Sequence, residues 1–207
     1  MAAAVAEKLH EGVRRLGLAL PAGCGGKLLA YVGLLGKWNA AYNLTAVRDP
    51  EQMVVKHVLD SLSLLPHVHG RTLLDVGTGA GLPGLVLAMA RPELAVTLLD
   101  SNGKKVRFLR QAIAELGVPN AVAVQSRVED FGGAFDAVAS RAFATLADMV
   151  QASAHLLAPG GEFLAMKGQQ PVAEMAGLPA GFAVRDVTAL HVPFLNEERH
   201  LVRIARA

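Results

Sequence analysis

An α/β fold is predicted: a mostly parallel sheet covered by helices, with an N-terminal helical extension and a C-terminal antiparallel hairpin. Three observations predict it. Short apolar runs alternate with amphipathic segments from residue 72 onward; the first run, Thr72-Leu73-Leu74-Asp75-Val76, leads straight into Gly77-Thr78-Gly79-Ala80-Gly81; and at the end of the chain two strand-like runs follow each other without a helix between them. Alternation of this kind needs right-handed crossovers and hence a doubly wound parallel sheet, whereas adjacent strands pair as an antiparallel hairpin.

Taken in order, residues 1 to about 66 read as helical. Leu28, Leu29, Tyr31, Val32, Leu34, Leu35 and Trp38 recur at helical spacing, and Pro21 with Gly23, Gly25 and Gly26 separates this second helix from a first one. Asp49-Pro50-Glu51 starts a third, with Asp49 as N-cap and proline in the first turn. The chain is therefore read as a helical cap over 1–66, packed on a domain over 67–207. Within the latter the pattern gives strands at 72–76, 95–99, 121–125, 135–139 and 162–167, and helices at 82–90, 103–116 and 145–157. The closing hairpin uses Phe182 to Leu190 and His200 to Ile204, with Pro193 and Asn196-Glu197-Glu198-Arg199 in the loop between them.

Composition limits the function classes. With 207 residues, 52% of them hydrophobic and 18% charged, the chain can bury one large α/β core and is not a disordered polymer. Its longest charge-free stretch, Val76 to Ala90, is interrupted by the glycine turn and Pro83, and falls short of the ~18 to 20 apolar residues a membrane span needs. The start carries Glu7 and Lys8 and has no apolar core of a secretory signal, and the single cysteine, Cys24, allows no intramolecular disulfide. A cytoplasmic protein with no membrane partner and no obligate protein partner is expected. A net charge of +2 announces no nucleic acid by itself, but cations cluster over Lys104-Lys105-Val106-Arg107-Phe108-Leu109-Arg110 and recur at Arg127, Arg141, Lys167 and Arg199.

The glycine turn is where a nucleotide-like ligand is expected. A side chain at Gly77, Gly79 or Gly81 would restrict φ and hold a ligand off the backbone. The next strand, Leu94-Ala95-Val96-Thr97-Leu98-Leu99, ends in Asp100, placed to hold two ribose hydroxyls, or else to cap the helix that follows. Two ligands satisfy this logic. Gly79-Ala80-Gly81-Leu82-Pro83-Gly84 matches the dinucleotide fingerprint, whose helix N-terminus receives a pyrophosphate. S-adenosylmethionine needs only the turn, the ribose acid and a place for its amino-acid end. Asp75 favours it, because a carboxylate before the turn repels a pyrophosphate and suits ammonium and sulfonium charge.

The chain resembles the bacterial RsmG (GidB) family of 16S ribosomal RNA guanine-N7 methyltransferases. The resemblance lies in Lys37-Trp38-Asn39-Ala40-Ala41-Tyr42-Asn43-Leu44-Thr45, Asp75 to Gly84, and Leu99-Asp100-Ser101-Asn102-Gly103-Lys104-Lys105-Val106-Arg107-Phe108-Leu109. It continues in Ser126-Arg127-Val128-Glu129, Ser140-Arg141-Ala142-Phe143-Ala144 and Lys167-Gly168. The chain departs at Ala80, where many members carry proline, and at the glutamate that replaces glycine before Glu198-Arg199-His200. The resemblance implies a Rossmann-like class I S-adenosylmethionine-dependent methyltransferase fold. It implies transfer of a methyl group to N7 of a guanine in 16S ribosomal RNA, within the small subunit or a precursor. It also implies a cofactor site made from Asp75, Gly77, Thr78, Gly79, Gly81, Leu82, Asp100, Ser101, Val128 and Glu129, the last two beside the adenine.

Catalytic residues are not named by the sequence, and none need be. N7 of guanine carries a lone pair and no proton, so its attack on a methyl group requires alignment rather than a general base. Arg141, after the fourth strand, is expected to position the cofactor carboxylate or an RNA phosphate. Lys167 and Arg199 are further positioning candidates, and with Lys104 and Arg127 they are candidates for RNA contact; each reads equally as a surface charge. Trp38, Tyr42 and Asn43 can stack on or hydrogen-bond an unstacked base, although i, i+4 aromatics on a helix more commonly serve the core. His67-Val68-His69 has no carboxylate or thiol at ligand spacing, so no metal is expected, and His57 and Asp60 read as packing of the cap. A small-molecule methyltransferase, a dinucleotide-dependent oxidoreductase and a non-enzymatic assembly factor remain open as alternatives.

Overall fold

The computed structural model describes residues 2–141, 143 and 145–207. Ala142 and Ala144, from the Ser140 to Ala144 segment, lie outside the described residues. The cap opens with α1 (Ala2–Arg15) and α2 (Cys24–Tyr42), separated by a turn in which Gly17 and Gly23 take positive φ. It continues in α3 (Pro50–Met53), which Asp49 caps by accepting from the Gln52 N–H. The same helical run winds as a π-helix over Val54–Leu59 and finishes as α4 (Asp60–Leu62).

Beyond the cap come β1 (Thr72–Val76), α5 (Gly84–Ala90), β2 (Ala95–Asp100), α6 (Gly103–Leu116), β3 (Ala121–Gln125) and β4 (Phe135–Ser140). They are followed by α7 (Leu146–Ser153), β5 (Leu157–Lys167), α8 (Val172–Met175), β6 (Phe182–Ala189) and β7 (His200–Arg206). The strands form one seven-stranded sheet in the order β3-β2-β1-β4-β5-β7-β6. All pairs from β3 to β5 are parallel, while β7 runs antiparallel to β5 and β6 antiparallel to β7.

Side chains of successive strand residues enter opposite layers. Leu73 belongs to the layer shared with Leu28, Tyr31, Leu85 and Phe108, so one continuous core joins the cap helices to α5, α6 and the sheet. Leu74 and Val76 belong to the opposite layer, with Met149 and Val150 of α7 and Phe163 of β5.

Strands β2, β4, β6 and β7 end within two residues of the pattern read in the sequence, and three other elements differ in ways that have a structural cause or consequence. The first crossover helix begins at Gly84 rather than at residue 82, because Asp75 Oδ2 accepts the Gly84 N–H at 2.7 Å and keeps Leu82 and Pro83 in the turn. The helix expected at 145–157 ends at Ser153 and passes through a single 3-10 turn, Ala154–Leu156. The fifth strand starts at Leu157, well before residue 162, and its register against β4 shifts between Phe135 and Ala137. The short helix α8 was not legible in the sequence.

Candidate cofactor and substrate site

Parallel strands deliver their carboxyl ends to one edge, and a crevice opens where neighbouring strands send their crossovers to opposite faces. Here that place is the β1/β4 pair, where Ser140 Oγ donates to the Val76 carbonyl at 3.0 Å. Two cavities lie along this edge.

The first has a volume of about 370 Å³ and is lined by Val76, Gly77, Leu99, Asp100, Ser101, Ser126, Arg127, Val128, Glu129 and Phe143. Asp100 closes β2 and is 6% exposed; its Oδ2 accepts the Gly79 N–H and its Oδ1 the Asn102 N–H, both at 2.9 Å. Each carboxylate oxygen retains a lone pair for a hydroxyl on the cavity side. Asp100 does not cap the following helix; Asn102 does, its side chain accepting from the Lys104 and Lys105 N–H groups. Gly79 has φ 60°, and a Cβ there would meet only the Gly77 carbonyl at 3.9 Å, so its face is open.

Several residues expected around the ligand are instead committed beneath the turn. Asp75 is fully buried, and its Oδ2 accepts from Thr78 Oγ1 at 2.6 Å as well as from Gly84. Its Oδ1 has no partner among the described residues, and burial pushes its pKa up to about 6 against the pull of the Thr78 and Gly84 bonds. Asp75, read as organising both the turn and the ligand's ammonium, holds the turn and has no opening for direct contact with a ligand; Thr78 is 2% exposed, with its hydroxyl donated to Asp75. Gly81 also faces inward: a Cβ would lie 2.8 Å from Leu85 Cβ. Leu82 is 5% exposed and belongs to the apolar core rather than to either cavity wall. The turn itself is held from the cap, where buried Tyr31 donates from its hydroxyl to the Ala80 carbonyl at 2.8 Å.

The dinucleotide reading fails on this geometry. The N–H that opens α5, which a pyrophosphate would need, is already taken by a carboxylate.

The second cavity, about 380 Å³, is lined by Val47, Lys56, His57, Asp60, Arg141, Met166, Lys167, Gly168 and Arg199. Arg141 thus sits here and not with Asp100. Its Nη1 donates to Asp60 Oδ2 at 2.8 Å and to the Lys56 carbonyl at 3.1 Å. Arg199 Nε donates to Asp60 Oδ1 at 3.1 Å, and Lys167 Nζ stands 2.9 Å from Glu174 Oε2. His57 shares a 2.8 Å hydrogen bond with Thr45 Oγ1, and burial, helped by the Arg141 charge, pulls its pKa down to about 4. His57 and Asp60 are thus polar members of the site, not packing alone.

The remaining candidates lie apart. Arg127 is on the rim of the first cavity, its Nε 3.7 Å from Glu129 Oε2. Lys104 shares a separate shallow hollow with Asn102, Gly103, Arg107, Arg110 and Gln125. Trp38 packs edge-on against Phe108, with ring centroids 5.6 Å apart, while Tyr42 is 42% exposed. Sequence reasoning assigned no site role to Lys56, Ser126, Phe143, Gly84 or Glu174, the first three of which line the two cavities, and read Asp60 only as packing of the cap. Asp60 had one legible signal, a charge inside the apolar run Val54 to Leu65.

Residues 25–202 match the family described as GidB, rRNA small subunit methyltransferase G. The chain belongs to this family. A family protein from Chromohalobacter salexigens, named ribosomal RNA small subunit methyltransferase G, is 53% identical over 208 residues, covering 100% of both chains. Another from Alkalilimnicola ehrlichii is 54% identical over 196 residues, 94% of this chain and 89% of that one. Among solved structures, the glycopeptide N-methyltransferase MtfA, complexed with S-adenosyl-L-homocysteine, superposes with a TM-score of 0.61. It is 13% identical, over 73% of this chain and 87% of that one. TrmN from Thermus thermophilus gives 0.57 at 21% identity, over 71% of this chain and 47% of that one. The rRNA small subunit methyltransferase G fold is accordingly a Rossmann-like methyltransferase fold, and its cofactor is S-adenosylmethionine. The first cavity fits that group. Val76, Leu99, Val128 and Phe143 supply apolar walls for an adenine, Asp100 an acceptor for ribose hydroxyls, Gly77 a wall without a side chain, and Gly79 an open face beside Asp100.

Proposed function

We propose that this chain transfers a methyl group from S-adenosylmethionine to N7 of one guanine in 16S ribosomal RNA, within the small subunit or a precursor. The products are 7-methylguanosine and S-adenosylhomocysteine. The observation that carries the reading is the pairing, along one sheet edge, of an apolar and acidic cavity at Asp100 with a cation-lined cavity at Arg141, Lys167 and Arg199.

S-adenosylmethionine supplies a methyl group on a positively charged sulfur. Asp100 and the glycine turn fix the nucleoside half, and Tyr31 fixes the turn. Arg141, Lys56, Lys167 and Arg199 neutralise backbone phosphates around the target and set its register without reading a base. N7 brings its own lone pair, so no side chain has to remove a proton. His57, neutral at pH 7 and tied to Thr45, keeps the site polar without adding a charge that would oppose the cationic product. What these residues contribute is proximity and alignment.

The test is transfer of labelled methyl to small ribosomal subunits lacking the modification, followed by mapping of the labelled nucleotide. Label at a guanine N7 is expected; label on another atom, or on protein alone, overturns the reading.

A further inference from the structure

Asp60 is 1% exposed at the end of the cap, and each of its carboxylate oxygens receives a different arginine. Arg141 follows β4 and Arg199 precedes β7, so the two cations arrive from separate parts of the sheet. Like charges sharing one cavity repel, and the carboxylate between them offsets that repulsion. Each guanidinium is then fixed a second time. Arg141 donates to the Lys56 carbonyl, and Arg199 donates from Nη2 to Glu197 Oε2 at 3.0 Å and from Nη1 to the Glu198 carbonyl at 2.8 Å. Lys56 itself pairs with Glu197 at 2.7 Å, which joins the cap to the β6–β7 loop. Among the described residues, Nε and Nη2 of Arg141 have no acceptor and remain available to a ligand.

A buried acid is a poor choice for packing alone. Replacing a buried ion pair by apolar groups of similar volume is often neutral or stabilising, so its presence points to placement of its partners. We propose that Asp60 is the positioning residue of the substrate site, holding Arg141 and Arg199 at a fixed spacing so that both meet the RNA phosphates around the target guanine. The proposal rests on the function proposed above. Asp60 does not touch substrate; it acts through the two arginines.

Asp60→Asn keeps the shape but presents an amide N–H to one guanidinium. It is expected to bind S-adenosylmethionine within twofold of the parent chain. Its kcat for methyl transfer to small subunits should fall tenfold or more, while KM changes less than threefold, because the cations remain but their spacing does not. Added to the Arg141→Ala, Arg199→Ala double variant, Asp60→Asn should cause no further fall. Parental kcat in Asp60→Asn, or a further tenfold loss in the double-variant background, overturns the proposal. Should Asp60→Asn not fold, Asp60→Glu decides. That variant keeps the charge one methylene further out; a tenfold lower kcat with parental cofactor affinity supports positioning, and a parental kcat refutes it. Failure of the function reading is separable. Exchange of the Arg199 Nε proton, followed by NMR without substrate, should be slow in the parent and fast in Asp60→Asn; equal rates refute the positioning role even if the parent chain methylates nothing.

Discussion

Asp75 and Asp100 stand on neighbouring strands, and burial separates what they do. Asp100 keeps two hydrogen bonds to backbone N–H groups and faces a cavity; Asp75 is sealed under the turn with one oxygen unpartnered. The raised pKa of Asp75 has a definite sign. The folded chain holds its proton more tightly than the unfolded chain, so the stabilisation is fully present below the ordinary value of 3.8 and is lost as pH rises through about 6. The difference in unfolding free energy between the parent chain and Asp75→Asn should therefore shift against the parent between pH 4 and 7. Urea titrations across that range would check it, and a flat difference would remove the carboxyl as the cause. In the sequence both acids were visible at strand ends. Their separate roles were read there too; the sealing of Asp75 beneath the turn was not, because it depends on whether Gly84 or a ligand meets the carboxylate, and no local pattern encodes that.

At the scale of elements, the cap meets the glycine turn of the candidate cofactor site through α2. Tyr31 is buried in the middle of that helix, and its hydroxyl donates to Ala80, inside the glycine turn. Tyr31→Phe leaves the Ala80 carbonyl buried without its donor, at a cost of about 1–3 kcal/mol in stability. Chemical denaturation of the variant should show that loss, accompanied by weaker cofactor binding as the turn loosens; full cofactor affinity would detach the cap from the site. Elements were legible where local chemistry fixed both ends. The expected span 103–116 coincides with α6 because Asn102 caps its start and Gly117, at φ 58°, its end. The expected start at 82 failed because a tertiary bond to Asp75 determines where α5 begins. The π-helical stretch over Val54–Leu59 was read as ordinary helix, since its apolar content reports burial and not winding. Asp60 directly follows that stretch, so its direction could not be read either.

At the scale of the molecule, the residues proposed for nucleoside and for RNA lie at different strand ends: β1 and β2 serve Asp100, while β4, β5 and β7 bring Arg141, Lys167 and Arg199 together. The two functions should separate by mutation. Asp100→Ala is expected to weaken cofactor binding by roughly tenfold to a hundredfold, the worth of hydrogen bonds to a charged group. Lys167→Ala should leave calorimetric cofactor affinity unchanged and depress methyl transfer to small subunits. Equal cofactor affinity in Asp100→Ala and the parent would take Asp100 out of the ribose role. The fold class followed from alternation and its failure at the end of the chain. The clustering of these cations depends on strand order, which the linear sequence does not display.

The closing hairpin works as a gauge. Lys167 pairs in register with His200 across β5 and β7, and the Leu190 N–H donates to the Arg199 carbonyl at 2.7 Å, so Arg199 is measured off from both sides by backbone hydrogen bonds. Insertions between buried Val192 and Glu197, ahead of the two residues that also hold Arg199, can bulge outward without disturbing that measurement. A one-residue deletion inside β7 would exchange the layers that receive Leu201 and Val202 and carry Arg199 off its mark. Length variation among natural versions of this hairpin should therefore be confined to the loop, while the strand that follows keeps its count.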